Sequence, residues 1–315
     1  MTVIDQPGLY DLPEDAYHAD PCEVPSLSSS IGKKIIHESP RHAWEAHPRL
    51  NPNFQRKEKA AFDNGKVAHK LMLGKGAELA VINAPDWRTK AAKEAREDAY
   101  NAGQTPILVD QMAAAEEMVA AGRKQLDDHE DASQAFRNGK PEVTLIWQEG
   151  EVWCRLMLDW MPNEGRVFDD YKSTGMSANP ETFGRTIFNL GYDFQAAFYR
   201  RGIRKVLGIA DPVFEFVVQE NTAPFALSVI GLPPAVLDDA DTDVQQAIDL
   251  WASCMEHDLW PGYPRRTCYV DPPGYIMAQR LERDAREGLQ SNKPSKEMLR
   301  TMIAWQSPLT KGAAE

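Results

Sequence analysis

What most limits the fold of this chain is a run of three extended segments near its middle: EVTLIWQ (142–148), EVWCRLMLDWM (151–161) and RVFDDYKST (166–174). Each carries Val with aromatic or further β-branched residues, side chains that pack well on a pleated surface. Gly150 separates the first two, and Pro162-Asn163-Glu164-Gly165 separates the last two; both are reversal signals. Three consecutive strands are therefore expected, with Asp159 and Asp170 on neighbouring ones.

Helical patterns bracket these strands. SLSSSIGKKIIHESP opens with capping serines, closes before Pro40 and sets Leu27, Ile31 and Ile35 on one face. Between residues 55 and 73, Ala61, Ala68, Leu71 and Met72 recur at helical spacing ahead of Gly74. A short run LAVI, a charged helix TKAAKEAREDAYNA, a strand TPILV and an Ala-rich helix from about Asp110 follow. Beyond the central strands come the helices PETFGRTIFNL and YDFQAAFYRRGIRKVLG, the second ending in a basic turn and Gly208. Strands PVFEFVVQE and FALSVIGL and a long helix over roughly 235–256 complete the pattern. This order predicts an α/β fold with a mixed central sheet flanked by helices.

At 315 residues, 43% hydrophobic and 26% charged, the chain has a globular balance, which excludes disordered and membrane classes. Its first twenty residues are acidic and broken by proline, so no secretory signal is expected and a cytoplasmic location is the default. Cys22, Cys154, Cys254 and Cys268 stand singly, which signals neither a zinc site nor a disulfide framework. The net charge of −12 opposes nucleic-acid binding by the surface as a whole. A local basic channel, or a divalent metal held by carboxylates, would restore positive charge where a phosphate sits.

The residues that point to chemistry are Asp159 and, after ten intervening positions, Asp170-Tyr171-Lys172. Strand alternation puts Asp170 and Lys172 on one face and Asp169 and Tyr171 on the other. Two adjacent carboxylates repel unless a hard cation lies between them, and magnesium prefers such oxygen ligands. A nearby ammonium orients or deprotonates water, so the set suits metal-assisted phosphodiester hydrolysis. The alternative is a pair of ordinary strand-end charges, since D-x-K alone is common.

VWCRLMLDWMPNEGRVFDDYKST, followed by NLGYDFQAAFYRRG, resembles the active-site region of PD-(D/E)XK nucleases, in the RecE-type (exonuclease VIII-like) branch of phages and prophages. SLSSS…ESP, the segment GKVAHKLML with His69, and the late WPGYP are similar to the same branch. The resemblance implies a restriction-endonuclease-like core over 25–265 with an N-terminal helical support region. A 1–24 extension would precede it and a polar, helical tail over 266–315 would follow.

By the same resemblance, Asp159, Asp170 and the backbone carbonyl of Tyr171 bind Mg2+, with Mn2+ able to substitute. His69 is a further ligand and Glu142 a weaker candidate, an outer carboxylate. Lys172 activates water. Gln195 and Tyr199 match a Q-x-x-x-Y element, one helical turn apart, that steadies Lys172 or a DNA phosphate. Ser173 and Thr174 bond a phosphate or end the strand. Arg200, Arg201, Arg204 and Lys205 track the DNA backbone or complement a helix C-terminus. Leu158 stands where the motif carries proline, and Asp170 where it often carries Glu. Some related nucleases hold an iron–sulfur cluster on one early and three late cysteines; two late ones leave that set incomplete, so no cluster is expected.

The activity implied is Mg2+-dependent exonuclease digestion of linear double-stranded DNA, 5′-to-3′, in the cytoplasm of a bacterial host. A trimeric or tetrameric homo-oligomeric ring and a RecT-like single-strand annealing partner are implied with it. Alternatives are a structure-specific endonuclease and a nuclease-derived binding module that does not cut. RLERDAREGL and SKEMLRTMIAW in the tail are amphipathic segments for oligomerisation, partner docking or packing on their own domain.

Overall fold

A computed structural model describes residues 3–55, 63–287 and 296–297 of the chain. Two compact units are present, 1–263 and 264–315. The first opens with β1 (Gly8–Tyr10), α1 (Glu14–His18), β2 (Leu27–Ser28), α2 (Ser29–His37) and α3 (Pro40–Ala46). Next come α4 (Asp63–Leu73), β3 (Leu79–Ile82), α5 (Lys90–Asn101), β4 (Thr105–Leu108) and α6 (Val109–Asp127). The centre holds β5 (Gly139–Glu149), β6 (Val152–Pro162), β7 (Val167–Thr174), α7 (Pro180–Asn189) and α8 (Tyr192–Leu207). β8 (Val213–Glu220), β9 (Leu227–Gly231) and α9 (Pro234–His257) end it.

The expected strands and helices thus form, and the architecture is mixed α/β with helices flanking the sheets. One detail differs from a continuous three-strand meander. β5 and β6 pair antiparallel in a sheet of order β1-β5-β6-β2, whereas β7 lies in a separate sheet of order β7-β8-β9. β7 runs parallel to β8, and β8 antiparallel to β9. The Pro162–Gly165 reversal therefore brings β6 and β7 together without a ladder. At the junction the Asp159 carboxylate, not a backbone carbonyl, accepts the Tyr171 N–H at 2.9 Å.

Local sequence explains the helices nearest this junction. Ser28 caps α2 through its hydroxyl to the Ile31 N–H, and Ile31 and Ile35 are buried. α8 crosses β5 and β6 so closely that a Cβ on Gly202 would stand 2.6 Å from Leu156 and 2.7 Å from Trp147. Trp147 and Phe198 meet there with ring centroids 5.0 Å apart. Each such buried side chain contributes roughly 1.5–3 kcal/mol.

β7 divides two cores by alternation. Phe168 packs with α8 residues Phe194 and Phe198, while Tyr171 packs with Ala68 and Met72 of α4 and Met118 of α6. Asp170 and Lys172 share the Phe168 face, as alternation requires. Ile4 and β1 join the same unit, since β1 pairs with β5 and Ile4 bridges Cys22.

In the second unit α10 (Gly274–Glu287) contains most of RLERDAREGL and exposes Tyr275, Met277 and Leu281. SKEMLRTMIAW, apart from residues 296–297, and residues 56–62 of the expected 55–73 helix lie outside the described residues. Among the described residues no helix is long and apolar enough to cross a membrane.

Candidate active site

His69, near the end of α4, reaches across to β6, where its Nε2 lies 3.2 Å from Asp159 Oδ1. Its Nδ1 faces Glu142 on β5, 3.7 Å from Oε1. Pro141↔Trp160 and Val143↔Leu158 are ladder partners, so Glu142 and Asp159 stand opposite each other between them. Glu142 has φ +50°, the left-handed region, although it is neither Gly nor Asn. Holding such a residue there costs about 1–3 kcal/mol, strain that concentrates at functional sites.

On β7 the Lys172 ammonium is ion-paired with Asp170 Oδ2. It sits 5.3 Å from the ring centre of Tyr192 and 5.9 Å from that of Phe216, which confine it. Gln195 Nε2, from α8, donates to Asp170 Oδ1 at 2.9 Å. Oδ2 has no properly angled hydrogen bond, only the ammonium beside it. Tyr199, one turn further along α8, packs its ring edge-on to Phe214 at 5.2 Å.

Electrostatics tie the groups together. Burial resists ionisation of Asp159, but His69, Lys172 and the Tyr171 N–H outweigh it and hold the carboxyl below its ordinary value. Burial and then the Asp159 charge push Asp170 up to about 6 despite Lys172. Burial also opposes the Lys172 charge, yet Asp170 and Asp159 raise its pKa above the usual lysine value. His69 is likewise raised: the charge and hydrogen bond of Asp159, with help from Glu142, overcome its burial.

Other predicted positions lie differently. The Tyr171 side chain faces away, donating its hydroxyl to Gln219 Oε1 at 2.7 Å, so only its backbone belongs to the site. Thr174 Oγ1 accepts from the Met176 N–H at 3.0 Å, which closes the turn after β7. Ser173 faces the start of α4, its Oγ 3.5 Å from where a Cβ on Gly65 would stand.

The basic cluster of α8 is not brought to the acidic centre. Arg200 donates to the Pro212 carbonyl at 2.8 Å, and Arg204 to that of Ala210 at 3.1 Å. Arg201 grips Asp241 with Nε at 3.0 Å and Nη2 at 2.7 Å, and Lys205 lies 3.5 Å from Glu149. These contacts fasten the C-terminal half of α8 to its own chain.

Sequence reasoning missed Tyr192, Lys33 and Arg155. Tyr192 was legible, because it lies three residues before Gln195 and so on the same helix face. Lys33 of α2 carried no such signal. It donates to the Leu190 carbonyl at 3.1 Å and, with Ser28, Arg155, Gln195 and Tyr199, lines a cavity of about 670 Å³ beside the site.

The donor set suits a hard divalent cation. Carboxylate oxygens and an imidazole are gathered, and the Asp159 charge raises the cost of ionising Asp170, as happens between carboxylates that share a cation. Among the described residues no three His, Cys, Asp or Glu side chains form a ready-made cage; His69 and Lys172 instead sit against the two carboxylates.

A solved structure from Eubacterium rectale, provisionally named an exonuclease, is similar over 86% of this chain and 98% of its own, with a TM-score of 0.55 and 14% identity. A phage-related exonuclease from Haemophilus somnus 129PT aligns over 61% of this chain and 95% of its own, with a TM-score of 0.27 and 12% identity. No curated protein matches the chain. Residues 28–271, well over half of the sequence, match the family described as a PDDEXK-like domain of unknown function (DUF3799), and the chain belongs to that family.

Proposed function

We propose that this protein is a Mg2+-dependent deoxyribonuclease that hydrolyses linear duplex DNA from its ends. The observation that carries the reading is the joining of Asp159, paired with His69, to Asp170, paired with Lys172, through the Tyr171 N–H. Family membership and the name of the E. rectale neighbour support it. Asp159 and Asp170, with His69 and the Tyr171 carbonyl, would hold Mg2+ or Mn2+, which when bound supplies Lewis-acid polarisation of a phosphoryl oxygen and a more acidic water.

The chain's own residues supply the remainder. Lys172 keeps its proton in the field of Asp170 and Asp159, so it serves as a fixed donor to an oxygen that gains negative charge. Tyr192 and Phe216 restrict the ammonium to that task. Gln195 fixes the Asp170 carboxylate, and Tyr199 supports Gln195 from the next turn.

Attack from the 5′ end, a ring-shaped homo-oligomer and a single-strand annealing partner extend this proposal. The test is digestion of end-labelled linear duplex against closed circular duplex with Mg2+ and with chelator. Linear DNA should be lost from the 5′ label, the circle should survive, and chelator should stop the reaction. Equal attack on the circle would replace the exonuclease reading with an endonuclease one, and chelator-resistant cleavage would remove the metal from it.

A further inference from the structure

We propose that Glu142 is a positioning residue for the metal centre: its carboxylate, 3.7 Å from Nδ1 of His69, holds the ring proton on Nδ1 as its acceptor, so that Nε2 is the nitrogen presented beside Asp159. This rests on the reading of His69 as a ligand.

Three observations carry it. β5 keeps regular antiparallel register on both sides of Glu142, and the backbone turns into the left-handed region at this one position of the strand. The Lys75 ammonium donates to the carbonyl of Glu142 at 3.3 Å, fastening the distorted peptide. The distortion delivers a buried carboxylate to the far nitrogen of His69, and among the described residues His69 is its only ion-pair partner. Gly76 also approaches it closely, since a Cβ there would lie 3.5 Å from Oε1.

The chemistry follows from imidazole having one proton when neutral. Ligation through Nε2 requires that proton to sit on Nδ1, and an acceptor there fixes the tautomer and ring and makes Nε2 more basic. Glycine or asparagine would hold the left-handed backbone more easily, and neither would reach Nδ1 with a carboxylate.

The test compares wild type, Glu142→Gly and Glu142→Gln at one pH. Mn2+ affinity is measured by calorimetry without DNA, and the His69 tautomer by ¹⁵N NMR of the Mg2+-saturated protein, with His69→Ala for assignment. Glu142→Gly should melt no lower than wild type, because glycine accepts the positive φ without strain. It should bind Mn2+ about 10–100-fold more weakly and lose the dominant Nδ1–H form. Glu142→Gln, whose amide oxygen still accepts from Nδ1, should recover that form and most of the affinity. If Glu142→Gly binds as tightly as wild type, or keeps the tautomer, the proposal is wrong. A Gln variant as weak as the Gly variant would instead make the carboxylate a direct ligand, overturning the positioning role. Absence of divalent binding by the wild type would sink the nuclease reading itself, and this inference with it.

Discussion

Asp20 and Asp170 are both buried aspartates beside a cation, yet their surroundings drive them in opposite directions. Asp20 accepts from the Ser26 N–H at 2.9 Å and its hydroxyl at 2.6 Å, and lies 3.3 Å from His47 and 3.1 Å from Arg155. Burial is the largest influence on it, but those partners together overcome burial and hold its carboxyl below the ordinary range. Asp170 has Gln195 and Lys172, but also the Asp159 charge, and it rises to about 6. A carboxylate whose bonding is complete ties a structure together, whereas one left incomplete beside another carboxylate is ready for a ligand.

The contrast can be broken most sharply by the same substitution at both places. Asp170→Asn should lower cleavage by at least about 10³-fold, measured on linear duplex with Mg2+, while the urea midpoint at pH 7 moves little. Asp20→Asn should do the reverse, costing roughly 3–5 kcal/mol in urea unfolding because the buried Arg155 loses its counter-charge. The folded fraction of that variant should keep its cleavage rate.

Asp169 sharpens the comparison, since it too is perturbed but lies on the other face of β7. Burial, and then Glu215, push its carboxyl up to about 7. A folded-state value above the unfolded one means the folded chain holds the extra proton, so stability falls as pH rises from about 4 through about 7. Asp169→Asn should therefore raise the melting temperature at pH 8 by roughly 2–8 °C, with the difference vanishing below about pH 4. No gain at pH 8 would show that this burial is better compensated than its neighbours suggest.

The smallest effect is expected at the other end of α8. Arg201→Ala should cost about 1 kcal/mol through loss of its grip on Asp241, without changing the salt dependence of DNA binding. A shallower salt slope would return the basic cluster to the DNA interface.

Much of the architecture was legible because local signals agree with tertiary packing. Extended segments set off by the Gly150 and Pro162–Gly165 reversal signals located β6 and β7, and Ser28 and Gly208 marked a helix start and a helix end. The two-residue β2 was not legible, since its partner Cys154-Arg155 lies more than a hundred residues away. Nor was the break between β6 and β7, because a reversal signal sets chain direction but not whether a ladder follows. Within the site, Asp159, Asp170, Lys172 and Gln195 came from spacing and resemblance, whereas Lys33 and Arg155 enter only through long-range packing.

By itself the sequence determined which residue types could do chemistry here and the faces they occupy, because strand and helix periods are local properties of the backbone. Only the tertiary structure decided which carboxylate would be satisfied and which left wanting. Burial, distance and competing partners are set by segments remote in sequence, such as α4 bringing His69 against Asp159 and α8 bringing Gln195 to Asp170.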